Sequence, residues 1–256
     1  MHIKLKTILL SSALSTLFVI NSFASTSLKT LTFATEATYP PFEAVSPSGQ
    51  LIGFDIDVAN AICSNLKIKC VFMNQPFDSL IPNLNMGKFD AIIAAMNITT
   101  ERAKSVDFSN AYYKSTASFV ANNGVNFSIT PEGIKGKIIG VQQGTTLQQY
   151  LKKTYGSNVT VKTYASEQSA FVDMSSGRID AVLGDTPLMQ QWMTEHGAGK
   201  YHFVGKPVSD TTYFGAGYGI AVKQGNKVAL NEINNALVVL KKNGTLSKIE
   251  AKYFPK

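Results

Sequence analysis

The pattern Gly-[Lys/Arg]-apolar-Asp-Ala-[Ile/Val]-[Ile/Leu] occurs twice in the chain, at 87–93 and at 177–183. Each copy follows a helical run, FDSLIPNLN before the first and EQSAFVDMSS before the second. A glycine supplies the left-handed residue that ends a helix, so Gly87 and Gly177 read as helix C-caps. The apolar half of each copy reads as a short buried strand that leads into a second helix. A chain that repeats helix, glycine, strand and helix is built from α/β units, whose strands are covered on both faces.

The same grammar continues elsewhere. TLTFAT reads as a strand, and GFDIDVANAICSNL as an amphipathic helix with Phe54, Val58, Ala61, Ile62 and Leu66 on one face. KIIGVQQGTTLQQYLKKTY is strand, glycine turn and helix; FGAGYGIAV runs into a strand; the terminal helical run breaks at Asn243-Gly244. This alternation predicts an α/β protein whose sheets are mostly parallel and flanked by helices. The chain leaves its first unit near 108–124 and returns near 206–219. Two such crossings predict two lobes joined by hinge strands. The first is discontinuous, 25–114 with 214–256, and the second is 115–213 including the hinge segments. The gap between lobes is the expected site, since interfaces between domains are favoured pocket locations.

The N-terminus carries Lys4 and Lys6, an apolar run ILLSSALSTLFVI, and small residues Ser22 and Ala24 before Ser25. That order is a cleaved export signal over 1–24, too short and serine-rich for a membrane span. No cysteine follows it, so a lipoprotein is not expected. Cys63 and Cys70 then sit in an oxidising compartment, where a helix ending near Leu66 and a strand starting near Lys69 let them form a disulfide. A metal site would need two more ligands, and His196 and His202 have no suitable partners. No metal or cofactor is expected. The formal net charge of +7 is spread without basic runs, which argues against a nucleic-acid groove.

Four places carry chemistry. After the strand DAIIAAM, Asn97 or Thr99 can cap a following helix and leave N–H groups free for an anion. Arg102, in that helix's first turn, opposes the helix dipole unless an anion sits beside it, and a carboxylate fits its planar fork; a surface ion pair with Asp107 is the alternative. QQGTT repeats this logic in the second half, with Gly144 turning the chain, Thr145 or Thr146 capping a helix, and Gln142 beside them. Asp185 ends an apolar strand, where a carboxylate must be paired; it either caps the helix beginning TPLMQQWM or holds an ammonium, or both. Finally TEATYPPFE sets Glu36 near Tyr39 and stiffens the chain with Pro40 and Pro41.

On ATYPPFE, GFDID, FDSLIPNL, ITTER, GVQQGTT, GRIDAV, GDT and FGAGYGIAV, the chain resembles the periplasmic solute-binding proteins of ABC importers for polar and basic amino acids. It looks most like the arginine-binding and lysine/arginine/ornithine-binding members. The resemblance implies the two-lobed type II binding-protein fold, a periplasmic location in a Gram-negative cell, a monomer, and an inner-membrane ABC permease as partner. It implies that Arg102 takes a ligand carboxylate with N–H groups near Asn97 and Thr146, that Asp185 takes the ammonium, and that Tyr39 and Phe77 flank the side chain. Glu36 then faces the distal charge, and L-arginine is the expected ligand, with lysine, ornithine or another polar amino acid as alternatives. Ala94-Ala95-Met96-Asn97 stands where some basic-ligand relatives have serines, leaving backbone carbonyls to do the hydroxyls' work.

Two other classes are compatible with these residues. Some cyclohexadienyl dehydratases share the fold, and Glu36 or Asp185 could act as an acid or base. No nucleophile–base pair, HExxH or phosphate loop accompanies them, and GAGYG lacks dinucleotide-loop spacing. A sensory or adhesive module using the same lobes is the third class. The expectation is a binding protein and not an enzyme.

Overall fold

Each copy of the repeated heptad supplies the middle strand of a five-stranded sheet. The first sheet runs Lys69–Asn74, Thr30–Thr35, Ala91–Ile92, Ala221–Lys223, Val106–Phe108 in spatial order. The second runs Val159–Tyr164, Lys137–Gln142, Ala181–Asp185, Ala117–Asn122, Tyr201–Val208. These are features of a computed structural model that describes residues 28–197 and 199–254; the expected export signal at 1–24 lies outside them.

The repeat is equivalent in detail. Gly87 and Gly177 both adopt left-handed backbone, φ 73° and 72°, and return their N–H to Leu84 and Met174 at 2.9 Å. The aspartates do identical work: Asp90 accepts from the Thr32 N–H and Asp180 from the Ile138 N–H, each at 2.8 Å. Each carboxylate thus ties its strand to the parallel neighbour, which is why both copies keep an acid beside apolar residues.

The expectation of mostly parallel sheets needs correction. Thr30–Thr35 pairs in parallel with Lys69–Asn74 and Ala91–Ile92, and Lys137–Gln142 with Val159–Tyr164 and Ala181–Asp185. The remaining pairings in each sheet are antiparallel. The reason is direction. Strands Ala117–Asn122 and Ala221–Lys223 arrive through the crossings, so they start where the neighbouring strands finish. A second correction concerns the first repeat, which leads into a three-residue 3-10 turn, Arg102–Lys104, and not into an α-helix. The intervening chain is held extended instead, bridging Asn97 to Tyr218.

The crossings lie side by side. Tyr218 is bridged to both Asn97 and Tyr113, with its N–H donating to the Tyr113 carbonyl at 2.9 Å and its carbonyl accepting from Tyr112 at 3.0 Å. A Cβ on Gly217, at φ 120°, would lie 2.4 Å from the Tyr113 carbonyl oxygen, so the glycines of GAGYG permit this close approach. Rings of Phe42, Tyr113, Tyr218 and Phe254 pack around it, with centroids 4.6–5.7 Å apart for the Tyr113 pairs.

Helix Phe54–Leu66 buries Phe54, Val58 and Ile62 and leaves Ala61 and Leu66 half-buried at the margin. The final helical run divides into Lys227–Lys242 and Thr245–Tyr253, with the break at Asn243-Gly244. Cys63 and Cys70 are joined, their Cα atoms 5.8 Å apart. Replacing both by serine is expected to lower the unfolding free energy by about 2–3 kcal/mol, the loop-closure entropy of so short a ring. Urea titration of the oxidised wild type against the double variant measures it.

Candidate functional site

A cavity lies between the two sheets, walled by both of them. Glu36, Tyr39, Phe77, Ala94, Ala95, Asn97 and Arg102 line it from the first sheet, and Gln142, Thr145, Thr146 and Asp185 from the second. Glu36 follows the carboxyl end of Thr30–Thr35, while Gln142 and Asp185 end their own strands. Carboxyl ends of strands are where open α/β sheets gather ligands.

Arg102 is half-buried and forms no ion pair among the described residues. Its Nη1 donates to the Asn97 carbonyl at 3.1 Å and its Nη2 reaches across to the Gly144 carbonyl at 3.3 Å. The guanidinium lies over the Phe77 ring, 5.3 Å from its centroid. Burial lowers its pKa to about 10, against the opposing charge of Asp185. Asp107, the alternative partner, is taken by Lys227 at 2.8 Å. Ahead of Arg102, Thr99 Oγ1 accepts from the Arg102 N–H at 3.2 Å. Asn97 instead donates from Nδ2 to Thr146 Oγ1 at 3.1 Å, joining the two sides.

On the second side, Thr145 caps helix Thr146–Tyr155 by accepting from the Gln148 N–H at 3.2 Å. Gln142 donates from Nε2 to Glu36 Oε2 at 2.7 Å, while Thr38 donates to the other Glu36 oxygen. Burial raises the Glu36 pKa, and those two donors pull it back.

Asp185 occupies the capping position of helix Thr186–His196 yet makes no capping bond with its side chain. The capping alternative is thereby set aside. Its Oδ2 accepts instead from the Tyr39 hydroxyl at 2.8 Å, across the cavity. Burial pushes the Asp185 pKa up to about 6, against the nearby Tyr218 and Tyr39 hydroxyls and the Arg102 charge. Tyr39 therefore does more than offer a ring: it orients the acid facing it.

Ala94 and Ala95 form the floor. Ala95 sits at φ 43°, a left-handed conformation that costs a non-glycine residue roughly 1–2 kcal/mol. Asp55 holds it there by accepting its N–H at 2.7 Å. Met96 is not part of the lining; its side chain packs with Leu80 and Leu84 in the core beneath. Glu43 and Leu147 line the cavity without having been singled out from sequence. Glu43 sits in the strand Glu43–Val45, and its signal was an acid between apolar neighbours just beyond the two prolines.

A guanidinium without an ion pair among the described residues thus shares a cavity between two sheets with the buried acids Glu36, Glu43 and Asp185, an arrangement suited to clamping a small charged ligand. The chain belongs to the bacterial extracellular solute-binding proteins, family 3, whose family model matches residues 31–256. It is 43% identical over 235 residues to the putative ABC transporter arginine-binding protein 2 of Escherichia coli K12, covering 92% of this chain and 95% of that one. A solved Salmonella typhimurium periplasmic binding protein, described for its high arginine specificity, superposes with a TM-score of 0.83 at 39% identity, covering 89% of this chain and 100% of that one. An ancestral amino acid-binding protein described as a precursor of cyclohexadienyl dehydratase superposes at 0.78 with 32% identity, covering 88% and 96%. The architecture is the type II periplasmic-binding-protein fold.

Proposed function

We propose that the protein captures a basic L-amino acid, L-arginine ahead of lysine or ornithine, between its two lobes and passes it to an ABC permease. The observation that carries this reading is the charge set lining one cavity: Arg102 without an ion pair among the described residues, together with the buried acids Asp185 and Glu36. A zwitterion with a cationic tail matches it. Arg102 takes the carboxylate with Asn97 and Thr146, and Asp185 takes the ammonium in place of Tyr39's hydroxyl. Glu36 meets the distal charge. The tail lies against Tyr39 and Phe77, and a guanidinium beside a ring gains about 0.5–2 kcal/mol. Sheet membership supports lobes of 25–114 with 214–256, and 115–213.

Relatives named as binding proteins favour capture over catalysis, a periplasmic relative favours an exported protein, and a relative named for an ABC transporter favours a permease partner. A dehydratase reading draws on the ancestral neighbour and on acids held near neutral pKa; turnover of prephenate or arogenate by the purified protein would establish it.

Thermal-shift measurement across the twenty amino acids and ornithine tests the proposal. A ligand at a thousand times its Kd stabilises by about 4 kcal/mol, so L-arginine should give the largest upward shift. A larger shift with an acidic amino acid, or none with any, rejects it. Glu36→Gln should weaken arginine far more than glutamine, because it removes the counter-charge and spares the α-amino-acid clamp. Equal losses by calorimetry would reassign the distal end.

A further inference from the structure

The site holds more acid than a monocationic tail can neutralise. Glu36, Glu43 and Asp185 line the cavity, Asp55 and Glu167 lie behind it, and all five are buried. Arg102 is the cation that lines the same cavity among the described residues. Like charges confined together in a dry site cannot all ionise.

Two of these acids carry a buried oxygen that lacks a hydrogen-bond partner among the described residues. Glu43 is 1% exposed, lines the cavity, and has no partner for its Oε2. Asp55, in the first turn of helix Phe54–Leu66, is fully buried, and its Oδ1 is likewise without a partner. The other Asp55 oxygen is saturated by the Ala95 N–H at 2.7 Å and the Tyr112 hydroxyl at 2.8 Å. The Asp55 N–H donates to the Phe42 carbonyl at 2.9 Å, which sets the helix start beside Glu43, so one proton shared between the two carboxyls would supply the missing partner.

We propose that Glu43 and Asp55 hold a proton between them in the pocket wall and release it to solvent when a cationic amino acid enters. Glu43 is then a further specificity-determining residue, favouring cationic over neutral ligands. The inference rests on the reading of the site as a pocket for a basic amino acid. Its charge balance is simple: a carboxylic acid and a carboxylate become two carboxylates, the proton goes to buffer, and the ligand's distal cation, shared between Glu36 and this pair, takes the proton's place.

The surroundings agree. Glu43 faces Asp55 on its helix, Glu36 after the first strand and Asp185 on the second lobe, all acids. Asp55 faces Glu43, the Ala95 N–H and Tyr112. Among the described residues, neither meets a positive side chain. Burial drives Glu43 well above the usual carboxylate range and raises Asp55 to about 7. Asp185, at about 6, has already lost its proton at slightly alkaline pH, so it contributes little there. Glu167 is the competing source: it is fully buried with both carboxyl oxygens unpartnered, but it does not line the cavity.

Calorimetric titration with L-arginine near pH ~7.5, in buffers of different ionisation enthalpy, reads the protons released. The expected slope is roughly half a proton to one proton given up, with arginine affinity rising by up to about tenfold per pH unit through the pair's titration. The slope should vanish in Glu43→Gln and, separately, in Asp55→Asn. Because either variant could misfold, infrared difference spectra of the unaltered protein provide the second measurement. Adding arginine should remove a protonated-carboxyl C=O band. Arginine binding with buffer-independent heat and no loss of that band overturns the inference and leaves the function intact. A slope that survives Glu43→Gln but disappears in Glu167→Gln also overturns it. No arginine binding at all overturns the reading beneath it, and the inference with it.

Discussion

Asp185→Ala should weaken L-arginine binding by about 3–5 kcal/mol, the scale for stranding one member of a buried ion pair, or about a hundred- to several-thousand-fold. The ligand's ammonium would enter a space with no other second-lobe acid in the lining. Tyr39 would lose the acceptor for its hydroxyl at the same time. The pH response separates this role from simple damage. With its pKa raised to about 6, Asp185 protonates below that pH and can no longer pair with an ammonium. Affinity should therefore fall by about tenfold per pH unit on the acid side. Folding responds with the opposite sign. A carboxyl whose folded pKa lies above its unfolded value binds more protons when native, so its contribution to stability grows as pH drops from about 6 toward 4. Calorimetry at several pH values checks the first expectation, and melts of the protein alone, wild type against Asp185→Ala, check the second. A loss below tenfold in Asp185→Ala would remove this residue from the ammonium's place.

Arg102→Met should cost a comparable 2–5 kcal/mol of binding, because truncating one side of a desolvated, hydrogen-bonded charge pair leaves the other charge unmatched. Methionine preserves length and the contact with Phe77 while removing charge and fork. Arg102→Lys should recover part of the loss, since an ammonium keeps the charge but cannot bond a carboxylate bidentately. Two further effects follow from the geometry. The bond to the Gly144 carbonyl disappears, loosening the contact between lobes. The charge that restrains the Asp185 pKa also disappears, so Asp185 should protonate at higher pH in this variant. The two substitutions then interact. Combined, they should cost less than the sum of the single losses, as expected for groups gripping one molecule. Strict additivity in a calorimetric double-mutant cycle would mean that they do not hold the same ligand.

Much of the architecture was legible because it rests on local rules. Gly87 and Gly177 needed left-handed backbone and announced it; Asn243-Gly244 broke the last helix; Cys63 and Cys70 fell either side of one helix-to-strand turn. Most of the lining was legible too, since Glu36, Asn97, Gln142 and Asp185 sit at strand ends or just past them. What stayed hidden depends on contacts remote in sequence. The direction of Ala117–Asn122 and Ala221–Lys223 follows from where the crossings deliver the chain, and no periodicity encodes that. Met96 stands beside lining residues, yet beyond the left-handed Ala95 its side chain packs into the core. The Glu43–Asp55 pair is formed by a strand and a helix, and neither residue alone signals a shared proton. Tyr39's hold on Asp185 spans 146 positions and could not be read from either neighbourhood.

Tyr218 gives the crossings a consequence of their own. Stitched to Asn97 on one flank and to Tyr113 on the other, it fastens the outgoing and returning segments to each other, so a substitution that displaces either one should disturb its neighbour as well.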